Sequence, residues 1–121
     1  MATEETIPTT EQMEEALTQV CKGLLDGEKY DELMVKQWAD RINSRSITAL
    51  SELGGDLSKG KFKYVVTCMI MQHNGTGLVV QTSGDLDMKK DGYVHVQFPE
   101  TEDEIEQCNM VTVVTAAKVA I

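Results

Sequence analysis

Three side chains offer the most obvious chemistry: Cys68, His73 and His95, the last two being the only histidines of the chain. A thiol deprotonated by a nearby imidazole is a working nucleophile, so Cys68 with His73 or His95 is the enzymatic reading to weigh. Its surroundings argue against it. Cys68 falls inside the apolar, β-branched run Phe62–Met71, where a thiol behaves as a small hydrophobe. There is no Ser/His/Asp set, no G-x-S-x-G and no H-E-x-x-H, the arrangements that acyl transfer and zinc hydrolysis require. Gly55-Asp-Leu-Ser-Lys-Gly60-Lys61 has the spacing of a phosphate-binding loop, but Phe62 stands where a magnesium-binding Ser or Thr is needed. The segment also leaves a helical pattern and enters a strand, the reverse of a P-loop. Asp85-Leu-Asp87 opens like a calcium loop, yet Lys89 takes the third ligand position and no Gly follows it, so a solvated turn is expected. Five acids between Glu100 and Gln107 have no apolar pocket to tune them and are read as a solvated loop. No catalytic residue, metal site or cofactor is expected.

Composition narrows the partners. Twenty acidic and eleven basic residues leave a formal charge of −9 and a pI near 4.6 on a 121-residue, 13.4 kDa chain. Such a surface cannot replace the counterions of nucleic acid and is repelled by anionic membrane, so a basic protein segment is the better match. The most apolar stretch, Met110–Ile121, is interrupted by Thr112, Thr115 and Lys118 and falls short of the roughly 18 apolar residues of a membrane span. The acidic N-terminus resembles neither a secretory signal nor an Arg-rich transit peptide. With Cys21, Cys68 and Cys108 odd in number and widely spaced, reduced thiols in the cytosol are expected. Asn74-Gly75-Thr76 matches the glycosylation sequon and is read instead as a turn.

The elements follow from period and punctuation. Residues 1–8 read as a flexible leader and 9–121 as one domain. Thr9 and Gln12 have capping-box spacing, with Thr10 as the alternative cap, and Met13, Ala16, Leu17, Val20 and Leu24 recur on one helical face, with Gly27 as terminator. Asp31 is expected to cap a second helix whose apolar stripe runs Met34, Val35, Trp38, Ile42, Ala49, Leu50 and Leu53, ending at Gly54-Gly55. The period then changes to that of strands, at Phe62–Met71, Leu78–Thr82, Tyr93–Phe98 (stopping at Pro99) and Val111–Ile121. The class is α+β, two N-terminal helices followed by a four-stranded antiparallel sheet.

The first strand carries the most informative arithmetic. Phe62, Tyr64, Val66, Cys68 and Ile70 form one face, and Val65, Thr67, Met69 and Met71 the other. Both are largely apolar, as are both faces of the last strand, whereas a half-exposed antiparallel strand alternates apolar with polar. Two helices cover one face of such a sheet and leave the second to another chain. A homodimer closing over Val65, Thr67, Met69 and Met71 is the simplest expectation.

Lys63-Tyr-Val-Val-Thr-Cys-Met-Ile-Met-Gln-His-Asn-Gly-Thr-Gly-Leu78 resembles the strand and turn of the dynein light chains of the Tctex type. Val35-Lys-Gln-Trp38, Leu50-Ser-Glu-Leu-Gly54 and the apolar C-terminal strand are similar to the family as well, so that the likeness covers Glu11 to Ile121. The resemblance implies a homodimer in which the second strand is exchanged, residues 74–77 leading the chain across to the partner rather than closing a hairpin. It implies a non-catalytic light chain, cytoplasmic and cytoskeleton-associated, of a cytoplasmic or axonemal motor. Its partners would be the dynein intermediate chain and, beyond it, cargo proteins, with no nucleic acid and no membrane insertion. An extended peptide would pair with a sheet edge. That edge would be Leu78, Val79, Val80, Gln81, Thr82 and Ser83, flanked by Asn74, Gly75 and Thr76. A dynein-independent adaptor for peptide segments of other proteins is the alternative. The stretch Val79–Asp87 departs from the family in lacking a Ser/Cys-rich strand that leads to an aromatic, which bears on the peptide preferred.

Overall fold

Thr9 starts the first helix through the reciprocal bonds its spacing to Gln12 allows. Its hydroxyl accepts from the Gln12 amide at 3.1 Å and its own amide donates to Gln12 Oε1 at 2.9 Å. The computed structural model describes residues 8–53, 62–73 and 92–120. They form α1 (Thr10–Leu25), α2 (Val35–Ser51), β1 (Phe62–Gln72), β2 (Gly92–Phe98), α3 (Glu102–Cys108) and β3 (Met110–Ala120). Along α1 the buried ladder is Met13, Leu17, Cys21 and Leu25, one residue per turn. Gly27 follows with φ of +81°, the left-handed conformation that ends a helix and suits a residue without a Cβ.

The second helix begins later than expected. Asp31 does not cap it; its carboxylate accepts from the Leu33 amide at 2.9 Å and its carbonyl from the Met34 amide at 2.9 Å. A side-chain bond two residues ahead closes a local turn instead of a helix cap, and α2 opens at Val35 with no side-chain cap on Met34. Its buried stripe is Trp38, Ile42, Ser46 and Leu50. Gly54-Gly55 and the Gly55–Lys61 segment lie outside the described residues.

The sheet among the described residues has three antiparallel strands in the order β1-β3-β2. The last strand of the chain is therefore central, hydrogen-bonded to a strand on each side. The segment expected as the second strand, Leu78–Thr82, lies outside the described residues, as do Asp85–Lys89. α1 lies over β2, α2 over β1, and the two helices pack on each other. Beneath them Val114 and Ala116 are fully buried, together with Met13, Leu17, Ile42 and Leu50. Each such aliphatic side chain contributes about 1.5–3 kcal/mol. Lys118 is on the same covered face, where its Nζ donates to the Pro8 carbonyl at 2.7 Å and stands 5.2 Å from the Phe62 ring centroid. Pro8, at the edge of the expected leader, is buried.

The acidic stretch after Pro99 corrects a second expectation. It is not a loop; Glu102–Cys108 form α3. Thr101 Oγ1 accepts from the Glu104 amide at 3.3 Å and donates to Glu104 Oε1 at 2.7 Å, and Ile105 is buried. Three acids in the first turn, Glu102, Asp103 and Glu104, sit where the helix dipole favours negative charge. Asn109, with φ of 58°, closes the helix as a left-handed cap.

Candidate interaction surface

β1 positions its side chains by alternation. Tyr64, Val66, Cys68 and Ile70 pack against the helical core. Cys68 is opposite Val114 in the ladder, whereas His95, opposite Thr115, projects from the other side of the sheet. His73 follows the end of β1, its amide bonded to the Asn109 carbonyl at 3.0 Å. Five residues of strand, about 17 Å, separate it from Cys68. The sheet thus keeps Cys68 apart from both histidines. Burial pushes the Cys68 thiol up to about 11, and burial reinforced by the neighbouring Cys68 pushes Cys21 up to about 12. Burial favours the protonated form of both thiols at neutral pH, which argues against a nucleophilic role.

Among the described residues, α1 and α2 both pack on the core side of the sheet, and the opposite side is more exposed. Val65 is 62% exposed, Met69 41% and Val119 37%. Thr67 is exposed as well and Met71 half-buried. The register sets Val65 beside Ala117, Thr67 beside Thr115, Met69 beside Val113 and Met71 beside Val111. Val113 on the same side is 5% exposed. Met69 on one side and Gln97 on the other are its ladder neighbours and shelter it. The result is a continuous apolar and threonine-lined surface spanning two long strands, with Lys63 at one end and His95 and Gln97 along the β2 border. Contiguous apolar surface of this kind marks interaction sites in soluble proteins.

The four residues expected on an interchain face, Val65, Thr67, Met69 and Met71, thus occupy the uncovered side of β1. β3 adds Val113, Ala117 and Val119 to them, a contribution signalled by the apolar alternation of 111–121. The expected peptide edge, Leu78, Val79, Val80, Gln81, Thr82 and Ser83, and its flank, Asn74, Gly75 and Thr76, lie outside the described residues. Among the described residues no three His, Cys, Asp or Glu side chains cluster as a metal site, and no helix is long and apolar enough to cross a membrane.

The described residues thus form two helices laid over one face of a small antiparallel sheet whose second face is largely apolar. The family model of the Tctex-1 family matches residues 8–118, and the chain belongs to that family, a non-catalytic structural or adaptor family. Among curated proteins, the chain is similar to dynein light chain Tctex-type 3 of dog (Canis lupus familiaris), human (Homo sapiens) and mouse (Mus musculus). Identity is 33% over 76 residues, covering 63% of this chain and 61% of each relative. The matched region thus spans about three-fifths of the relatives' own length.

Proposed function

We propose that the protein is a homodimeric light chain of a dynein motor complex, a scaffold without catalysis that holds an extended segment of the intermediate chain, or of a cargo protein, by β-strand addition. The observation that carries this reading is the uncovered apolar face of β1 and β3 in a chain of the Tctex-1 family. Val65, Thr67, Met69 and Met71 form the interchain face. A fourth strand at Leu78–Thr82 crosses to the partner's sheet, with residues 74–77 as the connection. The area argues for exchange. Three strands, the longest about 35 Å long and each about 4.8 Å from the next, offer on the order of 500 Å², less than the roughly 800 Å² per partner of a standard interface. An exchanged strand supplies the remainder and brings main-chain hydrogen bonds.

The edge Leu78–Ser83, flanked by Asn74–Thr76, then receives the peptide, and two such edges in one dimer hold two intermediate chains side by side at raised effective concentration. The relatives are named as dynein light chains, which supports the motor partner and a cytoplasmic place on the cytoskeleton. The test is capture of purified intermediate chain by the wild type and by Val80→Pro. Proline removes a ladder donor from the edge, so binding, dimer mass or both should fall. Unchanged affinity and mass would refute the edge. A wild-type dimer that does not retain intermediate chain would make the protein an adaptor working apart from the motor.

A further inference from the structure

A second recess lies away from the bare sheet face, where the turn after α1 meets α3 and the ends of β2 and β3. It encloses about 210 Å³, space for one large side chain. Phe98 provides its apolar wall, with Leu25 and Met110, each 2% exposed, beneath it, and Asp26, Glu28 and Glu104 its acidic rim. The two walls are tied together, because the Tyr30 amide donates to the Cys108 carbonyl at 2.8 Å. Glu104 is held in place by the Thr101 hydroxyl at 2.7 Å. Among the described residues none of these three carboxylates pairs with a cation. Lys29, also at the rim, leaves the recess with a surplus of negative charge.

An apolar wall ending in unpaired carboxylates is the complement of one side-chain type, an aliphatic stem ending in a cation. We propose that this recess is a docking pocket for a single arginine from a basic segment of a protein partner. The stem lies on Phe98, with Leu25 and Met110 beneath, and the guanidinium, whose planar fork suits carboxylates, reaches Glu104 and Asp26. The chain's charge of −9 steers such a segment toward it. The pocket does not depend on the peptide edge of the previous section.

The experiment is an amide-resolved NMR titration of the full chain with N-acetyl-arginine methylamide, and with the citrulline and leucine counterparts as uncharged controls. Arginine should give saturable shifts concentrated at Gly27, Glu28, Gln107 and Cys108. Citrulline, Glu104→Gln and Asp26→Asn should each weaken binding by about three- to five-fold, the scale of partly exposed ion pairs, while Lys29→Gln tightens it. The Val80→Pro variant should bind the probe normally even where it fails to bind intermediate chain, which separates this pocket from the edge. Equal binding of citrulline or leucine would overturn the proposal. So would shifts spread over Glu102, Asp103 and Glu106 (general attraction of a cation to an acidic helix), or an absence of saturation.

Discussion

The two faces of β1 are made of similar residues and meet different fates. Tyr64, Val66, Cys68 and Ile70 are covered by helix, while Val65, Thr67 and Met69 one step along the same strand are not. On the reading proposed above, apolar composition tracks what covers a strand in its working assembly, not only what covers it within one chain. The covered face holds each subunit together; on the reading proposed above, the bare face holds the subunits to each other.

The sharpest way to break that contrast is the same charge placed on either side of the strand. Cys68→Asp buries a carboxylate under α2 and should unfold the subunit, a loss of more than about 4 kcal/mol, seen as loss of the cooperative melt by circular dichroism. Met69→Asp should instead yield monomer or aggregate in sedimentation, and a stable dimer with a normal melt would show that the bare face is not an interface. Alanine substitutions sharpen the contrast. Leu17→Ala in the core should cost about 2–5 kcal/mol, independently of protein concentration once dimerisation is accounted for. Val65→Ala should cost about 1 kcal/mol, with an effect on the melting temperature that depends on concentration, as an interface residue requires.

Alkaline titration probes the covered face alone. The folded Cys21 thiol is raised from 9.0 to about 12, so above pH 9 the unfolded chain loses a proton that the folded chain keeps. Stability should fall as pH rises from about 9 toward 12, by up to about 1.4 kcal/mol per pH unit for this thiol. Urea denaturation across that range should show a shallower slope in Cys21→Ala. A comparably small effect belongs to the start of α1: Thr9→Ala should cost about 1 kcal/mol, read as a lower urea midpoint with unchanged dimer mass.

Much of this was legible in residue order, for reasons that differ by element. The capping box of Thr9 and Gln12 is a local contact between neighbours and needs no tertiary context, so α1 begins where its spacing says. The strand at Tyr93 follows from alternation and from Pro99, and those at Phe62 and Val111 from their β-branched and apolar content. The class, α+β, follows with them. Asp31 misled because an Asx turn and a helix cap use the same side-chain acceptor, and only the backbone beyond decides between them. α3 was hidden by its acidic composition, although Thr101 and Glu104 carry cap spacing and Ile105 supplies its one buried anchor. The central place of β3 is a tertiary choice; the edge strand β1 is apolar on both faces too, so face composition does not mark it. At the candidate surface, Val65, Thr67 and Met69 were legible because a two-residue period assigns faces. The arginine pocket was not, because Leu25, Phe98 and Glu104 meet only through the fold.

The central claim is that a second copy of this chain covers the bare face. Sedimentation equilibrium of the folded protein at micromolar concentration tests it most directly. A homodimer gives a single species of about 27 kDa, twice the 13.4 kDa chain mass, that falls toward the chain mass in Met69→Asp. A cooperatively folded, monodisperse species of 13.4 kDa would contradict it.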